Sequence, residues 1–233
     1  MLTVRGGSMT TVSGDAPSLL RLEKTSLREQ ALSALRRAIT TGQLQPGTHL
    51  VETDLSEALQ ISRGTLREAM RQLQQEGLIS AGARGRLSVR HLDTKEIKDI
   101  FDVRAALESL AASALARRED RAAAVAELRV AVADMERWAA SNLEDRIEAD
   151  LKFHRTMCHL SGNETLLHSW SSLEGSIRMS IMYAGVERAL KNMDAKRHLE
   201  IVEAIESGDE AAAAATVREH MCTAASVLVD GQD

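Results

Sequence analysis

Aromatic side chains make up only 2% of this 233-residue chain: two tryptophans, one tyrosine and two phenylalanines. Set beside the abundance of alanine, that scarcity argues against a β-sandwich and for packed helices. No hydrophobic run approaches the roughly 20 residues that a helical membrane span needs. Cysteine is almost lacking. Cys158 and Cys222 stand alone with no CxxC spacing, so they read as free thiols in a reducing cytoplasm, not as a disulfide or a thiolate metal site. Residues 1–20 have no continuous apolar segment and read as a flexible tail, not a signal peptide.

What is present is ordinary in bulk and uneven in distribution. The chain is 44% hydrophobic and 27% charged, and its length supports one large core or two modest ones. The net charge of −5 conceals an asymmetry: residues 1–90 carry 12 basic and 8 acidic side chains, and the remainder carries 17 and 26. A basic amino-terminal part on an acidic remainder suits a nucleic-acid contact confined to the first part.

The pattern there supports that contact. Leu27, Ala31, Leu35, Ala38 and Ile39 recur at helical spacing, and Gln45-Pro46-Gly47 makes a turn. Thr53 has the character of an N-cap for a second helix. Ser62 caps a third, whose inner face is Leu66, Ala69, Met70 and Leu73 and which Gly77 ends. Two helices joined by a short turn predict a helix-turn-helix. Arg63 and Arg67 lie four apart on the outer face, where guanidinium forks can reach guanine edges or phosphates. Leu78–Ser80 and Leu87–Val89 then read as short strands around Ala81–Arg86, a hairpin whose glycines and arginines suit a wing against DNA.

The rest reads as long amphipathic helices. Asp93 and Glu96 have capping-box spacing. Further helices are predicted near 120–139, 143–161, 164–183, 187–207 and 209–229, broken at Ser161–Asn163, Tyr183–Gly185 and Ser207–Asp209, with Asn163 as a cap. The fold class is therefore mainly α: an amino-terminal winged helix-turn-helix over 21–91, then an antiparallel bundle of six or seven helices over 92–233. In that bundle Asp150 and His154 are one turn apart on one helix face. His198 and His220 stand at similar distances on either side of the Gly208 turn, so antiparallel neighbours could bring them together. Three imidazoles and a carboxylate suit a first-row divalent ion. Taken singly, each histidine could equally be a surface or hydrogen-bonded residue, and His49, His91, His159 and His168 have no matching partners.

The stretch LRRAITTGQLQPGTHLVETDLSEALQISRGTLREAMRQLQQEGLI, with ARGRLSV after it, resembles the winged helix of the GntR family of bacterial transcription regulators. The resemblance places Ser62, Arg63, Thr65 and Arg67 where the family contacts DNA, and Gly85 at the wing tip. Two positions depart from the family pattern. Gln60 stands where a turn glycine is usual and must accept a left-handed backbone; Gly64 replaces a common threonine or proline. The stretches FDVRAALESLAASALA, DLKFHRTMCHLSGNETLL and KRHLEIVEAIESGDEAAAAATVREHM resemble the FCD ligand-binding domain of the FadR branch. That resemblance implies a divalent metal (Zn, Ni or Mn, with Zn expected in purified protein) on Asp150, His154, His198 and His220. It also implies that Arg104 meets an effector carboxylate, although an i,i+4 pair with Glu108 is an alternative for that arginine.

The resulting expectation is a cytoplasmic, non-enzymatic, ligand-responsive regulator, a repressor. It would bind operator DNA as a homodimer and be controlled by a small organic acid at the metal site. Alternatives are a regulator whose metal is structural or is itself the signal, and a metalloenzyme using Glu108 or Glu174 as a base.

Overall fold

The computed structural model describes residues 26–82, 85–183 and 186–229. The tail expected over 1–20 and the wing residues Ala83 and Arg84 lie outside the described residues, as do Ala184 and Gly185 of one expected break.

Helix α1 (Leu27–Thr40) opens with a capping box in which Ser26 and Glu29 satisfy each other's backbone N–H groups. Helix α2 (Glu52–Ala58) starts earlier than Thr53 predicts: Val51 is the N-cap, and the Thr53 hydroxyl donates sideways to Asp54 Oδ1 at 3.1 Å. The reason is tertiary. The Gly47 and Leu50 amides donate to the carbonyls of Val89 and Leu87, which pins the incoming chain and lets the helix begin at Glu52. Gln60 does adopt the left-handed turn conformation, at φ 53°. Helix α3 (Arg63–Gln75) is capped by Ser62, whose Oγ accepts from the Thr65 amide at 3.1 Å. Leu66, Ala69, Met70 and Leu73 are its buried face.

Strands β1 (Ile79–Ala81) and β2 (Leu87–Val89) pair antiparallel in the register Ile79↔Val89, Ser80↔Ser88, Ala81↔Leu87. The first strand sits one residue later than predicted because the Leu78 amide is still engaged by Leu73 O in the helix exit. Leu35, Ile39, Leu50, Leu66, Leu73, Leu78 and Val89 fill the core beneath this winged helix-turn-helix.

Seven helices follow among the described residues: α4 (Thr94–Arg117), α5 (Arg121–Trp138), α6 (Leu143–Leu160), α7 (Glu164–Tyr183), α8 (Val186–Asn192), α9 (Ala195–Ser207) and α10 (Glu210–Val229). The Asp93–Glu96 capping box forms as predicted, and Asn163 Oδ1 caps α7 through the Leu166 amide. The single helix expected over 187–207 is instead two. Asp194 Oδ1 accepts from the Lys196 amide and starts a new helix. Helix α4 is the central member, in contact with α10 along its length and with α6, α7 and α9. No described helix is long and apolar enough to cross a membrane. Cys158 is buried and Cys222 exposed, both free.

The two parts meet where α7 runs past the end of α3. Arg90 Nη1 donates to Ser176 Oγ at 2.6 Å and Gly175 abuts the backbone of Glu76, whose side chain Arg36 of α1 grips from within the winged unit by hydrogen bonds of 3.1 Å and 2.7 Å.

Candidate functional site

Four helices of the bundle converge on one buried polar centre. Helix α6 presents Asp150 and His154 from consecutive turns of its inner face, α9 presents His198, and α10 presents His220. The αL residue Gly208 (φ 79°) reverses the chain between α9 and α10, so the two late histidines come back together, their ring centroids 4.7 Å apart. His154 lies 5.0 Å from His198 and 5.4 Å from His220, centroid to centroid. One ligating nitrogen from each of the three lies within 4.8 Å of the others. Asp150 Oδ1 is 3.1 Å from His198 Nε2, and its Oδ2 is 4.0 Å from His154 Nε2. All four side chains are buried. His49, His91, His159 and His168, which have no such partners in sequence, are exposed.

The hydrogen bonding behind the rings decides what they can do. His198 Nδ1 lies 2.8 Å from the Asp194 carbonyl; a carbonyl only accepts, so Nδ1 carries the proton and Nε2 turns a lone pair inward. His154 Nδ1 lies 2.6 Å from Glu108 Oε2, which favours the same tautomer. The two Nε2 atoms then face each other at 3.1 Å with a carboxylate oxygen equally near one of them. Three lone-pair-bearing atoms converging in a buried place repel unless a cation, a proton or a metal ion, lies among them. His220 Nδ1 is buried with no hydrogen-bond partner among the described residues, a further donor atom available to an ion.

Electrostatics favour the metal over the proton at two of the three rings. Burial holds His154 below the ordinary histidine range, and burial together with the neighbouring imidazoles holds His220 well below it, so both keep free lone pairs at neutral pH. Burial pushes Asp150 up, but the close contact with His198 and the nearby positive charge, that of Arg104 included, outweigh it and leave the carboxyl below its usual value. Neutral imidazoles and an ionised carboxylate are the protonation states that a divalent ion requires. The residues present therefore fit such an ion, and His154, His198 and His220 could hold one.

Helix α4 borders the same centre. Arg104 and Glu108 are both buried, and Arg104 Nε donates to Glu108 Oε1 at 3.0 Å. This is the i,i+4 pair that the spacing allowed. It uses one edge of the guanidinium only: Arg104 Nη2 is buried without a partner, and the group stacks over Phe101 at 4.8 Å. Trp170 of α7 donates its indole N–H to the same Glu108 Oε1 at 2.7 Å. Burial raises Glu108, but His154 and Arg104 more than offset it and hold its carboxyl at about 2. Glu108 was expected only as an alternative partner of Arg104 or as a base in the enzyme alternative, and Trp170 was not expected in the site. The four-residue step from Arg104 was a signal for the first; nothing local marked the second.

At the other end of the molecule, Ser62, Arg63 and Arg67 are exposed at the start of α3. Ser62 Oγ lies 2.9 Å from Thr65 Oγ1, and Arg67 Nε is paired at 2.8 Å with Glu52 of α2. Gly85 is exposed at φ 72° in the hairpin.

Comparison with known proteins agrees with both ends. Residues 27–89 match the model of the bacterial regulatory proteins of the gntR family, and residues 99–223 match that of the FCD domain. The chain is 28% identical over 195 residues to YdhC, an HTH-type transcriptional regulator of Bacillus subtilis strain 168, covering 82% of this chain and 86% of the relative. It is 27% identical over 203 residues to the "Probable D-xylose utilization operon transcriptional repressor" of Paenarthrobacter nicotinovorans, covering 86% and 88%. Its fold is similar to that of E. coli McbR/YncC, with a TM-score of 0.68 at 18% identity, over 90% of this chain and 100% of the other.

Proposed function

Because the chain belongs to the gntR family of bacterial regulatory proteins and carries an FCD domain, a ligand-responsive transcription regulator, we propose that it is a cytoplasmic repressor whose operator affinity is set by a small organic acid bound beside a divalent metal. Residues 21–91 form its DNA-binding unit and 92–233 its sensing unit. Family members are DNA-binding regulators, not enzymes, and Glu174, once a candidate base, is instead paired with Arg155. Assignment to the FadR branch rests on the resemblance of the sequence stretches around Arg104, Asp150, His154, His198 and His220 alone.

The observation that carries the effector class is Arg104 Nη2, buried and unpartnered beside the cluster. A buried donor left unsatisfied is costly, and a carboxylate from a ligand would satisfy it. Charge points the same way. Glu108 balances Arg104 and Asp150 balances half of a divalent ion, so the loaded pocket keeps one positive charge and suits an anion. Asp150, His154, His198 and His220 would hold the metal, which would supply Lewis acidity toward carboxylate and hydroxyl oxygens. Arg104 orients the acid by its free edge, and the apolar faces of Phe101 and Phe153 keep water from the pocket.

On the DNA side, Arg63 and Arg67 read base edges or phosphates from the major groove, with Ser62 and Thr65 at the amino end of α3 and Gly85 letting the wing approach the duplex. A homodimer would set two such helices on a pseudo-palindromic operator. The acid acts by binding one arrangement of the dimer better than another.

A second reading, in which the metal is structural or is itself the signal, is favoured by the depth of the three histidines. Thermal melting of metal-free and metal-loaded protein against a panel of mono-, di- and tricarboxylic acids separates the two. A shift with an acid, seen only when metal is bound, supports the acid sensor. A shift from metal alone, unmoved by every acid, supports the second reading.

A further inference from the structure

The Glu108 carboxylate divides its oxygens between two tasks. Oε1 accepts from two donors on different helices, Arg104 Nε at 3.0 Å and Trp170 Nε1 at 2.7 Å. Oε2 lies 2.6 Å from His154 Nδ1, an ion-pair contact, and neither of these two atoms has a hydrogen-bond partner among the described residues. The carboxylate is completely buried and so is Trp170. Neither water nor rotation of the side chain can readily take over its contacts, so Arg104 and Trp170 fix the direction in which Oε2 points.

We propose that Glu108 is a positioning residue of the metal centre: clamped by Arg104 and Trp170, it holds the proton of His154 on Nδ1 and thereby keeps Nε2 turned toward His198 and Asp150. The inference rests on the metal reading given above. The three histidines differ in this respect. His198 is set by the Asp194 carbonyl, a backbone group that no substitution removes. His154 alone is set by an ionised side chain, and outer partners of this kind orient the ring and raise its basicity toward a metal.

The test is Co²⁺ binding to the full chain, followed by visible absorption and by competition with a chromophoric chelator, for wild type, Glu108→Gln, His154→Ala and the double variant. Glu108→Gln is expected to weaken Co²⁺ binding about 10- to 100-fold and to change the absorption spectrum. In the His154→Ala background the same substitution is expected to cost nothing further, because its effect passes through that ring. A merely structural role for Glu108 would instead lower affinity equally in both backgrounds. If Glu108→Gln does not fold, Glu108→Asp carries the test: it keeps the charge but withdraws the oxygen, and an intermediate loss is expected. Wild-type affinity and spectrum in whichever of the two variants folds, or equal losses with and without His154, overturns the proposal while leaving the metal site standing. Absence of Co²⁺ binding by the wild type overturns the site and this inference with it.

Discussion

Gly175 lies so close to Glu76 that a Cβ built on the glycine would sit 1.1 Å from the glutamate's carbonyl oxygen. This is backbone against backbone, at the junction of the carboxy-terminal bundle and the carboxy end of α3. Ser176, the next residue, receives Arg90 from the end of the wing, and Trp170, little more than a turn earlier, donates to Glu108 at the buried polar centre. Helix α7 thus touches Glu108, beside the histidine cluster, and the winged helix-turn-helix within about two turns of its middle stretch.

Gly175→Ala is therefore expected to push α3 and α7 apart. Overpacking of this kind costs about 1–3 kcal/mol, and the displaced recognition helix should bind operator at least several-fold more weakly while metal content stays at the wild-type level. Fluorescence anisotropy on operator DNA, paired with elemental analysis, measures both. Wild-type affinity and melting temperature would show that the contact does not set the position of α3.

Arg63→Ala and Arg67→Ala are each expected to weaken operator binding by about 1–3 kcal/mol if they meet base edges, or to reduce the salt dependence if they meet phosphate. Arg67 is tied to Glu52 at 2.8 Å, an exposed pair of small intrinsic worth. Glu52→Ala should consequently leave stability almost unchanged. Thermal melting of Glu52→Ala and salt titrations of binding for the two arginine variants check this, and unaltered affinity in both arginine variants would remove α3 from the reading surface.

The path from sequence to this structure was clear where the signal is local. Ser62, Asp93 and Asn163 cap the helices that they announce, and Gln60 takes the left-handed turn that its place in the motif demands. Thr53 misled because a strand pairing some 35 residues away fixes where α2 can begin. Asp194 is a capping residue in plain view, yet the apolar periodicity running through it disguised the break. That His154, His198 and His220 come together, with Asp150 beside them, was legible from spacing plus resemblance. Glu108 and Trp170 were not, since their roles exist only where α4, α6 and α7 converge.

His154→Ala and His220→Ala are expected to bind metal much more weakly and, at a fixed metal concentration, to lose most of the stabilisation that a ligand of the native state confers, about 2.7 kcal/mol when free metal is a hundred times its Kd. Melting with and without a chelator reads this out. Without metal the variants should melt close to the chelated wild type; full metal content in either variant would exclude that residue from the site.

The metal-free protein should lose stability in acid. Folded His154 and His220 have pKa values below the ordinary 6.5, so below that pH the unfolded chain takes up protons that the folded chain refuses. Their contribution is complete above the unfolded value and is lost as pH falls from there toward the folded values. Glu108, at about 2 when folded against 4.5, adds a second loss as pH falls from 4.5 toward 2. Urea midpoints measured in chelator between pH 7.5 and 4 should fall steadily, and less steeply in His220→Gln. Equal slopes in the two proteins would contradict the burial of a neutral His220.

Operator affinity of the metal-loaded protein, measured across a panel of carboxylic acids in wild type and in Arg104→Lys, tests the central claim most directly. Lysine keeps the charge beside Glu108 but removes the fork that offers a free edge. At least one acid is predicted to weaken DNA binding by wild type tenfold or more, only with metal present, and to lose most of that effect in Arg104→Lys. An acid that acts equally on both proteins, or acts without metal, would contradict a pocket in which Arg104 and the histidine cluster together receive the effector.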